Sequence, residues 1–177
     1  MSRLLFAFIG LTFILSQAST MLSAEKFSKE MAILDRWNGS WESNFTSRPS
    51  MLIPVSTKWS QVTETKWILD SHFQQSTTTN NREVTKEINR YWGQLGTYQK
   101  WRFTSKGQND YWYGRWDSKN QSMTWELQFT EGRITAVIVE HFLSPDKYQS
   151  TFFIKDAKGN TVLDLEAIHR RTTQLSK

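Results

Sequence analysis

The chain has 177 residues, of which 38% are hydrophobic and 22% charged; this length and balance suit one globular domain with a full core and exclude a disordered chain. The net charge of +5 is scattered singly along the sequence rather than gathered in a run, which excludes a nucleic-acid footprint. Cysteine is absent, so disulfide staples, thiol catalysis and thiolate metal sites are excluded as well.

Taken in order, the chain opens on a leader. Arg3 supplies a positive start, Leu4 to Leu15 an apolar run, and Ser16 to Ala24 small and polar residues, so residues 1–24 read as a cleaved signal peptide and 25–177 as the folded domain. The apolar run of about twelve residues is shorter than the roughly twenty of a spanning helix. The expectation is therefore an exported protein, periplasmic or secreted, with no stable membrane insertion after cleavage.

Phe27, Met31 and Leu34 then fall at i, i+4 and i+7, the spacing of one short amphipathic helix that would cap a barrel mouth. Asn38-Gly39 stops it, since glycine tolerates positive φ, and Trp41 falls at the root of the first strand. Thr46 to Pro54, with two of the three prolines, reads as a connecting loop that would serve as a lid.

From there turn signals recur at intervals of about a dozen residues. They delimit ten strand segments: Trp41–Thr46, Lys58–Leu69, His72–Thr79, Glu87–Trp92, Thr97–Phe103, Asp110–Trp116, Ser122–Phe129, Arg133–Phe142, Tyr148–Lys155 and Val162–Arg171. The loops between them are mostly of hairpin length. An all-β chain of this kind, a single antiparallel up-and-down meander of about ten strands with a short N-terminal helix, most economically closes into a barrel.

Alternation assigns the faces. Met123, Trp125, Leu127 and Phe129 share one side of their strand; Leu163, Leu165 and Ala167 share the inner side of the last, and continuing that parity brings His169 and Arg171 inward. In strand two Trp59, Gln61, Thr63, Thr65 and Trp67 lie on one face, so polar groups accompany the tryptophans into the interior. Tyr111-Trp112-Tyr113 reads mainly as sheet packing, with Trp112 or Tyr113 on the outer face.

These residues carry a resemblance. A helix, then Gly39-x-Trp41 opening strand one, a meander, and an arginine at the end of the last strand resemble the calycin pattern of lipocalins and fatty-acid-binding proteins. More closely, Leu34-Asp35-Arg36-Trp37-x-Gly39-x-Trp41, Lys66-Trp67-Ile68-Leu69 followed by His72-Phe73-Gln74, Gly114-x-Trp116-Asp117, and Leu163-Asp164-Leu165-Glu166 followed by His169-x-Arg171 are similar to the bacterial domain-of-unknown-function 1579 family. Arg90-Tyr91-Trp92-Gly93 stands where that family usually has Gly-Tyr-Asp after strand four. The resemblance implies a lipocalin-like barrel without an assigned activity, with Trp41 and Arg171 as a barrel-closing structural pair.

For function, the sequence holds no nucleophile elbow, no zinc-protease helix and no phosphate or dinucleotide glycine loop. The leading expectation is a small apolar or amphipathic molecule bound in the interior, with Trp59, Trp67, Trp125, Phe129 and His169 as cavity candidates. One alternative is a hydrolase or isomerase using His72 or His141 at the barrel mouth; another is polysaccharide binding by exposed rings. No metal or other cofactor is expected. The exception is haem: nitrobindins, which resemble this fold, carry a haem-binding histidine on the last strand, as His169 would be, although they surround the first Trp with several glycines where this chain has Gly39 alone.

Overall fold

The structure is a computed structural model that describes residues 28–80, 83–128 and 132–172. The leader, Phe27 and Phe129 lie outside the described residues. Helix α1 (Lys29–Leu34) begins at Ser28, whose hydroxyl accepts from the Met31 N–H at 3.2 Å, and runs into a 3₁₀ turn over Asp35–Trp37. A side-chain oxygen at this position satisfies one of the amides that the first helical turn leaves unpaired.

Ten strands follow: β1 (Gly39–Ser47), β2 (Lys58–Ile68), β3 (Phe73–Thr79), β4 (Val84–Trp92), β5 (Thr97–Thr104), β6 (Asn109–Asp117), β7 (Ser122–Leu127), β8 (Ile134–Ser144), β9 (Lys147–Asp156) and β10 (Thr161–Thr172). Each pairs antiparallel with its neighbours in sequence, and β1 pairs with β10 to close the cylinder. The up-and-down barrel expected from turn spacing is the fold observed. Closure leaves no unpaired sheet edge, which a meander uncovered by helices would otherwise expose.

The interior is built by parity. Trp41, Ser43 and Phe45 of β1 share it with Gln74, Ser76 and Thr78 of β3, with Met123 and Trp125 of β7, and with Leu165, Ala167 and His169 of β10. The register slips between Thr161 and Leu163, but runs unbroken from Leu163 to Arg170 against β9. His169 therefore keeps the face that alternation gives it.

One face assignment needs correction. Trp112 is not on the outside: it is 1% exposed, edge-on to Phe152 at 6.0 Å, and its indole N–H donates to Asp110. Tyr113 takes the outer face. The run Asp110-Tyr111-Trp112-Tyr113 has no polar alternation, so the sequence could not show which ring turned inward.

Helix α1 and the 3₁₀ turn plug one end of the cylinder, where their free carbonyls meet donors from the barrel floor. The Tyr98 hydroxyl donates to Glu30 O (3.1 Å), Gln74 Nε2 to Leu34 O (2.6 Å) and Trp41 Nε1 to Trp37 O (2.7 Å). The Leu34 and Trp37 carbonyls, left over at the ends of the helix and the 3₁₀ turn, are costly when buried, and these side chains satisfy them. The loop between β1 and β2, by contrast, does not close the other end. Arg48 N donates to Asp164 O at 2.9 Å and Leu52 N to Val162 O at 3.0 Å, so the loop lies along the start of β10 and none of residues 48–57 lines the cavity.

Candidate functional site

Above the plug is a cavity of about 390 Å³, bounded below by Leu34 and Trp37 and reaching Asn80 and Glu83 at the opposite end. This volume lies within the range of small-molecule sites, roughly 300–1,000 Å³. Its two sides differ. Phe45, Trp59, Trp125, Ile138, Phe152 and Leu165 form an apolar wall, in which Phe45 and Trp59 stack at 5.2 Å with their planes 7° apart. Strands β3 to β5, with Gln61, Thr63 and Thr65 of β2, form the facing wall from hydroxyl, amide and charged groups, because polar residues occupy their inward positions.

Within the polar wall, opposite residues on paired strands meet. Thr63 and Thr78 hydroxyls lie 2.8 Å apart, and those of Thr65 and Ser76 2.9 Å apart. The Lys100 ammonium, on a residue only 5% exposed, is 3.4 Å from Glu87 and 4.3 Å above the Trp125 ring. Arg102 is forked onto Asp110, with its Nε 2.9 Å from one carboxylate oxygen. Lys100, the buried charge among them, is thus paired, which is the condition for keeping it away from bulk water.

Trp125 links the two walls. Its indole N–H donates to Glu140 at 2.9 Å. Burial pushes the Glu140 carboxyl above the ordinary carboxylate range, opposed by the Lys100 ammonium and the indole hydrogen bond. The ring lies flat against Gly114 on the neighbouring strand, where a Cβ would stand 2.5 Å from it. Only glycine leaves that space.

His169 is held on both sides. Ser43 Oγ is 2.7 Å from Nδ1 and Ser150 Oγ 2.8 Å from Nε2, while Tyr148 stacks on the ring at 4.0 Å with planes 5° apart. A neutral imidazole has one donor and one acceptor nitrogen, so one serine accepts and the other donates. Burial, and secondarily the Lys100 charge, lowers its pKa to about 3. Ligation of an iron atom would require one of the two serine bonds to break.

The remaining sequence candidates divide. Trp59 and Trp125 line the cavity with His169, whereas Trp67 sits at the plugged end, donating to Asp35 at 2.8 Å, and is not part of the lining. Trp41 and Arg171 meet at the same end, the guanidinium 4.4 Å from the ring centre. His72 is exposed in the β2–β3 turn and His141 faces outward from β8; neither lines the cavity. On the outer wall the faces of Trp92 and Trp101 are covered by the Arg90 guanidinium at 5.2 and 5.5 Å. Among the described residues, no group of three or more His, Asp or Glu is placed to hold a metal ion, and no helix is long and apolar enough to cross a membrane.

Sequence reading missed Gln74, Glu87, Asn89, Lys100, Glu140 and Gly114. A signal for the first existed: residues opposite one another on paired strands share a face, so inward Trp67 implies inward Gln74 once the β2–β3 register is known.

Comparison with known proteins adds the fold and stops there. No family model and no curated protein matches the chain. Among solved structures, Rv2717c from M. tuberculosis superposes with a TM-score of 0.61 at 10% identity, covering 82% of this chain and 99% of that one. An S-type phycobiliprotein lyase, CPES from Guillardia theta, gives 0.54 at 14% identity over 85% of this chain and 96% of the other. A protein of unknown function from the DUF3598 family of Nostoc punctiforme gives 0.53 at 10% identity; 78% of this chain is covered, but it spans only about half, 49%, of that protein. At these identities the likeness is one of architecture.

Proposed function

We propose that the protein is an exported binding barrel that carries a small amphipathic molecule in its interior and belongs with the domain-of-unknown-function 1579 proteins. The observation that carries the reading is the two-sided cavity, aromatic on one wall and hydrogen-bonding on the other. Burying an apolar tail against Trp125, Phe152 and Leu165 stabilises a complex by about 25 cal/mol per Å² removed from water, and the opposite wall orients a polar end. The similarity to a phycobiliprotein lyase is consistent with a barrel that handles a small molecule, by analogy of fold alone. The leader at residues 1–24 supports export, and the Gly39-x-Trp41 and His169-x-Arg171 motifs support the family assignment.

Native mass spectrometry of protein purified from its own host tests this. A mass increment above the mature chain is expected, together with saturable tryptophan quenching by amphipathic molecules. Ile138→Trp, which fills the cavity, should abolish both while leaving the melting transition intact. A bare-chain mass combined with no quenching across lipids and metabolites would overturn the reading.

A further inference from the structure

The floor of the cavity holds two carbonyl oxygens with no partner among the described residues, Gln74 Oε1 and Asn89 Oδ1. Both residues line the cavity, at 0% and 6% exposure. For Gln74 the direction of the amide is fixed, because its Nε2 is committed to Leu34 O at 2.6 Å. The two residues are direct cross-strand partners between β3 and β4, and Lys100 is the partner of Asn89 across β4 and β5. Two bare acceptors and one cation thus occupy consecutive positions on one belt. The Lys100 ammonium has three donors, of which Glu87 and the Trp125 face account for two directions.

We propose that this belt is a carboxamide subsite: it takes a ligand head with two N–H donors and an adjacent carbonyl, a primary amide, whose tail lies on the aromatic wall. The inference rests on the reading of the cavity as a ligand site. The chemistry selects this head over its neighbours. A carboxylate has no donor and would set its oxygens against those of Gln74 and Asn89. An ammonium would face the Lys100 charge, and an alcohol offers a single donor. Two acceptors about 2.9 Å from one amide nitrogen, about 120° apart, are about 5 Å from each other, and facing residues on paired strands such as Gln74 and Asn89 set their Cβ atoms about 4.5–5.5 Å apart.

Tryptophan-fluorescence titration with decanamide, decanoic acid, decylamine and decanol, which share one tail, decides the matter. Decanamide should bind the wild-type barrel about tenfold tighter than the other three, the effect of one or two net hydrogen bonds. Asn89→Leu should narrow the decanamide-to-decanol affinity ratio from about ten toward one. Asn89→Asp, which keeps the shape and adds a negative charge, should move the preference toward decylamine. Equal binding of all four heads would overturn the subsite and leave the binding barrel standing; so would a preference for decanoic acid, or an amide preference that survives Asn89→Leu. Binding of none of the four would overturn the subsite, and together with a bare-chain mass and no quenching across the wider panel it would overturn the binding barrel as well.

Discussion

Trp41→Ala should destabilise the barrel by about 3–5 kcal/mol in urea unfolding, the range for a large aromatic removed from a well-packed site. Trp41 is 1% exposed and meets Tyr148 edge-on at 4.9 Å. Its loss has two further effects. The Trp37 carbonyl forfeits its 2.7 Å donor, and the Arg171 guanidinium loses the ring beneath it. That arginine is held from the other side by Asp146 at 2.9 Å and by the carbonyls of Arg36 and Asn38. Gly39 makes the arrangement possible: its φ is +105°, and a Cβ there would come within 2.8 Å of Arg171 Nη1. Trp41→Phe keeps most of the volume but leaves the Trp37 carbonyl without its donor, so it should cost less than the alanine variant, about 1–3 kcal/mol. A loss below about 1 kcal/mol for the alanine variant would contradict a structural plug at this end.

The second large effect is expected in acid. The imidazole of His169 titrates near 6.5 when unfolded and is lowered to about 3 in the barrel. Between those values the unfolded chain binds a proton that the folded chain refuses, so stability falls as pH falls. The contribution is fully present above pH 6.5 and is lost progressively toward pH 3, in total on the order of 4–5 kcal/mol. Urea midpoints across this window should therefore drop more steeply in wild type than in His169→Gln, whose amide can still both donate and accept. Parallel slopes in the two proteins would mean that His169 takes up its proton without unfolding the barrel.

The strand skeleton was legible because turn residues and period-two patterns are local. All ten segments appear, with ends shifted by a few residues. His169 is legible for the same reason, since no bulge separates it from Ala167. The polar wall was not, because its meaning depends on register. Glu87 and Lys100 read as ordinary charges on ordinary strands until the β4–β5 pairing brings them together over Trp125. Gly114 looks like any strand glycine until the Trp125 ring is seen lying on it. The orphaned oxygens of Gln74 and Asn89 required the complete hydrogen-bond pattern.

The closed cylinder also says how the chain must assemble. Nine of its ten strand pairings are hairpins between neighbours, formed by loops that close quickly, but the seam joins Ser40 to Thr172 across the whole described domain. Ring closure over so many residues carries the largest entropic cost of any pairing here and is repaid only once the intervening hairpins are in place. The seam is therefore the final step of folding and the first to part, and Ser43, whose hydroxyl meets His169 across it at 2.7 Å, should show a φ-value near zero: its replacement by alanine speeds unfolding and leaves the folding rate almost untouched.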